Sequence, residues 1–418
     1  MKKFLFSLSI GYLVLSLSSC SKKESVEVIS KDSPTLKSTF IHPGTVLSAS
    51  QIAFAKAKVA AGIEPYKTCY ANLQSDNATL LSSSYPSHAH TTVGRNMYKS
   101  DYENDSRAIF VNAIMWQMTG TASYADKVVA LLESWYATCT SIQYPDNDWQ
   151  LCLGYGLHQM IYGADLIYNY SGFTSTKKAH AITLFTRFYN YYQTYATTWG
   201  VKCPFVKDGW PSWGSSAGKF IMAYGIFCEN TTAYNLAKEY FNRTAANGAD
   251  VGTVQTAFLS TGQPLECARD QFYVQLGLGS FLEMCQMARN QGDNSLFDAR
   301  NGVIGKAMEY VAKYNLGNSV TWTSWTPATS IWGVTYPITS ISSSNRGRFR
   351  NIWHLSVDYY QHYRGLNASN YSLQVIWNYM DQERQAATVT DEVGYGSLFY
   401  NNPDQTVVPP SYTWSGIY

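Results

Sequence analysis

Charge is scarce in this chain. Of its 418 residues 14% are charged and 15% are aromatic, which inverts the usual balance of a soluble protein. Lys plus Arg number 31 and Asp plus Glu 29. Without a basic excess the chain is a poor candidate for nucleic acid, and an acidic ligand has to be met by a few placed cations. None of the eight cysteines stands in a C-x-x-C spacing, which argues against zinc knuckles and dithiol redox motifs. Setting Cys20 aside leaves Cys69, Cys139, Cys152, Cys203, Cys228, Cys267 and Cys285. That odd number does not make a full disulfide framework. One or two bridges fit an oxidising compartment, and most of these residues read as small buried side chains. A Gly-rich phosphate loop, an HExxH motif and a G-x-S-x-G elbow are all missing, so the commonest signatures of nucleotide binding, zinc proteolysis and α/β-hydrolase chemistry are gone. Beyond residue 20 no run is long and apolar enough to span a bilayer, and no fixed-length repeat supports a regular solenoid.

What is present begins with a leader. "MKK" is a basic start, "FLFSLSIGYLVLSLSS" an apolar stretch, and "LSSC" places small residues before Cys20. This reads as a lipoprotein signal over 1–19, a lipidated Cys20 opening a polar tether over 20–39, and one domain over 40–418. The expected location is the cell envelope, periplasm or outer-membrane surface, with the lipid as the only membrane contact. Loss of Lys2 and Lys3 leaves 29 cationic against 29 anionic residues. The abundant Tyr and Trp suit both a large aromatic core and the stacking of sugar rings.

Helical periodicity dominates the domain. Helices are expected at 50–62, 102–118, 122–140, 150–169, 176–197, 214–228, 231–246, 265–290, 295–314, 350–364 and 371–386, joined mostly by short loops that make consecutive helices antiparallel. The stretch 319–349, rich in Ser, Thr and Trp with two prolines, breaks the pattern and reads as irregular loop or short strands, a length at which loops are often functional.

Within the helix expected at 265–290, "ECARDQFYVQLGLG" carries the strongest chemical signal. At 100° per residue Gln263, Glu266, Arg269, Asp270 and Tyr273 fall within about 120° of one another. Gly277 follows on that face and is expected to leave space for a ligand. Trp210 and Trp213 in "GWPSWG" flank a helix entry and suit either a sugar platform or core packing. His158 is a lone imidazole in an apolar helix, either a satisfied core residue or a base facing the cavity of Tyr273. His88 and His90 in "SHAHTT" are expected on a substrate-facing or solvated loop, and His362 in "DYYQHYRGL" is ambiguous. No set has metal-ligand spacing, so neither metal nor cofactor is expected.

Five blocks, "HPGTVLSASQIAFAKAKVAAGIEPY", "AIMWQMTGTASYADKVVALLESW", "GQPLECARDQFYVQLGLG", "AKYNLG" and "YYQHYRGL", occur in an order that resembles the alginate lyase superfamily of helical polysaccharide lyases, with polysaccharide lyase family 38 the nearest group. The resemblance runs from about His42 to about Tyr400. It implies an all-α fold, an incomplete α/α toroid of antiparallel helical hairpins with long loops over a cleft or tunnel. It also implies β-elimination on a uronate polysaccharide such as alginate or glucuronan. Arg269 matches the family's arginine. Tyr273 occupies a position where many relatives carry His, and "WPSW" replaces an Asn-Gly-Asn-Trp whose Asn helps neutralise the substrate carboxylate.

Elimination from a 4-linked uronate needs a cation or donors on the carboxylate, a base for the C5 proton and an acid for O4. One tyrosine serves as base and then acid when proton and leaving oxygen share a ring face, as in mannuronate and glucuronate. Guluronate presents them on opposite faces and calls for a second group, for which His158 is the candidate. The expected machinery is therefore Tyr273, Arg269 and His158, with Glu266, Gln263, Trp210, Trp213, His88, His90 and His362 toward the polysaccharide. Two other readings compete: a glycoside hydrolase using Glu266 and Asp270, and a noncatalytic glycan-binding lipoprotein. One helical turn between those two carboxylates suits a hydrolase poorly.

Overall fold

A helix that is apolar on one face needs one neighbour, whereas a helix apolar all round must be surrounded. Both kinds occur in the computed structural model, and they sort into two layers. The structure describes residues 39–144, 149–199, 209–244, 252–327, 331, 333–366, 370–380 and 391–414. The leader, Cys20 with its tether up to residue 38, and Cys203 lie outside the described residues.

Three short helices, α1 (Ala49–Ala60), α2 (Tyr66–Asp76) and α3 (Ala78–Leu81), precede the hairpins α4 (Lys99–Thr119) and α5 (Ala122–Thr138). Helix α6 (Trp149–Cys152) passes through a π-helical turn, Leu153–Leu157, into α7 (His158–Leu166), and α8 (Ser175–Trp199) follows. Next come α9 (Pro211–Phe227), α10 (Thr231–Asn242), α11 (Gln271–Asn290) and α12 (Ala299–Asn315). Helix α13 (Trp353–Val357) continues as a π-helical turn over Asp358–Tyr363, and α14 (Tyr371–Tyr379) and α15 (Gly396–Phe399) close the described chain.

The inner layer is α4, α7, α9 and α11, each packed on the next. Every residue of α7 is buried, and so is every residue of α9 except Trp213. The outer helices α5, α10 and α12 pack back on α4, α9 and α11, and α8 lies on α5 and α9. This is an incomplete α/α toroid of antiparallel pairs. The only sheet among the described residues is Thr92–Val93 paired in parallel with Ser141–Ile142.

Local chemistry fixes the helix ends. Ser48 and Gln51 form a capping box at α1, Asn230 caps α10 through the Ala233 amide, and Gly120 ends α4 with φ of 74°. Pro211 at the first position of α9 gives up an amide that would have been unpaired there. Gly154 lets the π-helical turn lie against α9, since a Cβ there would stand 2.5 Å from the Ser216 carbonyl oxygen. Large aromatics fill the interior, including Trp135, Trp149, Trp353, Tyr102, Tyr162, Tyr192, Tyr240, Tyr359 and Tyr360. The six described cysteines after Cys20 are free thiols, all buried except the half-buried Cys228.

Two differences from the sequence reading stand out. Helix α2 was not expected, although it buries Tyr66, Cys69 and Leu73 on one stripe. The helix expected over 265–290 is broken. A 3₁₀ turn covers Leu265–Ala268, Asp270 is extended, and α11 starts at Gln271. The cause is Asp270 itself, whose carboxylate accepts from the amides of Phe272 (2.7 Å) and Tyr273 (3.0 Å). Such a cap competes with a continuous helix. The loop over 319–349 is irregular, as expected, with a single bridge between Trp325 and Ile338 among its described residues.

Candidate active site

The break in the chain at Asp270 puts a 3₁₀ turn end to end with α11, and this junction builds the site. Arg269 closes the turn and Tyr273 lies in the first turn of α11. The Arg269 guanidinium sits over the Tyr273 ring at 4.2 Å and over the Trp210 ring at 5.4 Å. Tyr273 is 43% exposed, the most open large aromatic of this region. Trp210 and Trp213, both half-buried, flank the entry to α9. Trp210 packs with Leu265 and Ile338, and Trp213 with Leu151, Tyr155 and Leu276.

Glu266 holds these parts together. Its carboxylate is 2% exposed and accepts from the Ser212 amide (2.9 Å), the Ser212 hydroxyl (2.7 Å) and Arg269 Nη1 (3.1 Å). Burial pushes its pKa from 4.5 up to about 7, against the opposing pull of Arg269 and Ser212. Glu266 therefore positions Arg269 and the start of α9 rather than touching substrate. The space beside Gly277 is also taken, because a Cβ there would stand 3.2 Å from Ser212 Cα and 3.3 Å from Glu266 Oε2. That glycine serves close packing, not a ligand.

Asp270 does not share a helical face with Tyr273. Besides capping α11 it accepts from Ser344 Oγ (2.6 Å) and Asn345 Nδ2 (2.5 Å). Burial alone would raise its pKa, but these hydrogen bonds hold it below the ordinary value. Gln263 is likewise structural: its amide exchanges two 2.8 Å hydrogen bonds with the Thr323 backbone and so anchors the long loop.

The histidines lie elsewhere. His158 is fully buried, edge-on to Tyr162 at 5.1 Å, with no protein partner for either nitrogen among the described residues. Burial, then Lys219 and Arg107, keep its pKa well below 6.5. A base sealed in the core cannot reach a polymer, so His158 does not face the cavity of Tyr273. His88 and His90 pair with Asp105 (2.9 Å) and Asp101 (2.7 Å), and His90 stacks on Tyr98. They fix their loop to the start of α4. His362 stands on the π-helical turn after α13, where burial keeps its pKa below 6.5 against the opposing pull of Asp358.

Sequence reasoning missed Ser212 and Arg350. The signal for Ser212 was its place in the first turn of α9, where backbone amides have no helical partner. Arg350 donates to the Phe272 carbonyl (3.0 Å) and pairs with Asp391 and Glu392 (2.9 Å each), bracing α11 from behind. Deeper still, Lys219 reaches the Asp391 carbonyl (3.0 Å) and Glu283 (3.5 Å), and Glu283 accepts from Tyr162 (2.7 Å).

A toroid of helical hairpins with a cation, a phenol and aromatic walls on its inner layer is the scaffold of an α/α polysaccharide lyase. The sequence model of the family described as alginate lyase matches residues 85–322, more than half of the chain, and the chain belongs to that family. An alginate lyase from Bacteroides ovatus superposes with a TM-score of 0.59 at 16% identity, covering 86% of this chain and 100% of its own. Alginate lyase A1-III from Sphingomonas species A1 gives 0.53 at 12% identity, over 86% and 98%. A variant of the A1-III enzyme complexed with tetrasaccharide gives 0.53 at 11% identity, over 88% and 99%. These likenesses establish the fold. No curated protein sequence matches the chain.

Proposed function

We propose that this polysaccharide lyase cleaves 4-linked uronate polymers in which the C5 hydrogen and the O4 leaving group share a ring face. Mannuronate-type alginate and glucuronan have that geometry. The observation that carries the reading is the exposed Tyr273 with the Arg269 guanidinium on its ring, tethered from below by a buried carboxylate. Arg269 takes the uronate carboxylate and so makes the C5 proton removable. The Tyr273 oxygen, as phenolate, accepts that proton. The C5 electrons form the C4–C5 double bond, the C4–O4 bond breaks, and the same phenol returns the proton to O4. Trp210 and Trp213 offer faces on which sugar rings stack.

The deep burial of His158 favours single-tyrosine chemistry over the opposite-face geometry of guluronate. A hydrolytic alternative loses its carboxylates, since Glu266 is bound to Ser212 and Arg269, and Asp270 to a helix cap and Ser344.

The test is a panel of polymannuronate, polyguluronate and glucuronan, followed by the absorbance of the unsaturated uronate. Wild type is expected to act on the first or third well ahead of polyguluronate. Tyr273→Phe removes one hydroxyl and should fall below about a tenth of wild-type turnover, the smallest usual acid–base contribution being about a hundredfold. Retention above a tenth makes Tyr273 a packing residue.

A further inference from the structure

A cavity of about 450 Å³ lies apart from Tyr273, lined by Gln255, Thr256, Phe258, Ser260, Arg300 and Trp325 among others. Arg300 sets its chemistry. A guanidinium drawn out of water is normally met by a carboxylate, yet Arg300 forms no ion pair among the described residues. Its Nη1 donates instead to the main-chain carbonyls of Phe258 (2.7 Å), Val254 (2.9 Å) and Gln255 (3.4 Å). Carbonyls orient the group without cancelling its charge. The opposite edge, Nε with Nη2, has no protein partner among the described residues, and that edge is the one that receives a carboxylate through two parallel hydrogen bonds.

No carboxylate among the described residues offsets this charge. Asp298, two residues earlier, is turned away and accepts from Tyr359, Tyr412 and Arg364. Residues 299–302 begin α12 with Arg300, Asn301 and Gly302 in left-handed conformation (φ of 50°, 57° and 70°), which separates the directions of Asp298 and Arg300. Lys306, six residues further along α12, is a second cation close enough to feel the Arg300 charge. Burial first, and then the Arg300 charge, lower its pKa.

The cavity also shares packing with the cleavage site. Trp325 and Trp210 belong to one apolar cluster with Leu265 and Ile338, and Trp210 carries Arg269 on its ring. Phe258 lines both this cavity and a small buried pocket shared with Pro211, Pro264 and Glu266. Trp210 beside Arg269 and Trp325 beside Arg300 thus pack on one apolar cluster, and Thr256 and Ser260 also line the cavity.

We propose that this cavity is a distal subsite that takes the carboxylate of a further uronate residue of the same polymer. Arg300 is its cation and Trp325 its platform. The proposal rests on the uronate reading of the Tyr273 site and extends it, making affinity depend on chain length.

The experiment uses the full chain carrying Tyr273→Phe, so that binding is measured by calorimetry without turnover. Its ligands are a uronate trisaccharide, a uronate octasaccharide and a carboxyl-reduced octasaccharide. Adding Arg300→Gln should raise Kd for the octasaccharide by about tenfold, the scale of one lost charge-assisted interaction. It should leave the trisaccharide unchanged and make no difference to the reduced ligand. Trp325→Ala, which leaves the Arg300 carbonyl contacts in place, should weaken the octasaccharide alone, and melting temperatures confirm that each variant is folded. Equal octasaccharide affinity in all variants, or equal loss on both lengths, overturns the subsite. The cleavage reading fails separately, through absence of unsaturated product from wild type.

Discussion

Glu266→Gln should separate stability from activity. The carboxyl is buried and its pKa rises from 4.5 to about 7 because burial disfavours the charged form. That displacement corresponds to about 3 kcal/mol of preference for the protonated form in the folded chain relative to the unfolded one. For an acid whose folded pKa is raised, the stabilisation is fully present below 4.5 and is lost as pH rises through about 7. Gln is a neutral isostere and keeps the advantage at every pH. The variant should therefore exceed wild type by about 3 kcal/mol near pH 8.5, with the gap closing toward pH 4.5, as read from denaturant midpoints. Activity moves the other way. The amide cannot hold Arg269 as a counter-ion, and a hydrogen bond between charged groups is worth about 1.5–3 kcal/mol, so kcat/KM should drop by about 10- to 150-fold. Wild type should show an acid limb near pH 7 that the variant lacks. Wild-type kcat/KM in Glu266→Gln, or a stability loss of the same size at both pH values, would refute the reasoning.

Arg269→Ala should lose most activity on polymannuronate or glucuronan. Arg269→Lys should lose much of it, since an ammonium reproduces the charge but not the planar stacking on Tyr273; near wild-type kcat/KM in both removes Arg269 from the site. His158→Leu should keep turnover within about twofold, because the imidazole is sealed in the core and held neutral. A fall beyond tenfold at unchanged melting temperature would return His158 to the chemistry. Turnover should survive exhaustive chelation, since carboxylate neutralisation is assigned to Arg269; loss that Ca²⁺ restores would contradict that assignment.

The long helices were legible because their apolar residues recur at helical spacing, whereas the burial of α7 and α9 on nearly every side, polar residues included, is seen only in the fold. The short stripe of Tyr66, Cys69 and Leu73 lay among too many polar residues to announce α2. The stretch from Gln263 to Tyr273 drew attention for the wrong geometry. It is not one helical face, yet Arg269 and Tyr273 still meet, across the Asp270 cap that joins the turn to α11. Glu266 looked like a substrate contact because its true partner, Ser212, lies 54 residues away in sequence. His88 and His90 could not be told from substrate ligands without seeing Asp105 and Asp101 beside them. Local periodicity reports which elements form, whereas the burial of a polar side chain depends on segments distant in the chain.

The interlock of Gly277, Ser212 and Glu266 constrains how this lyase can evolve. Three positions from three segments share one small volume, so enlarging any one crowds the other two. A side chain gained at 277 has to be matched by retreat at 212 or by a shorter acid at 266, and a shorter acid draws the tether away from Arg269. Trp210 and Trp213, half-buried at the rim, lie outside this trio, so an exchange there leaves the hub's own contacts in place.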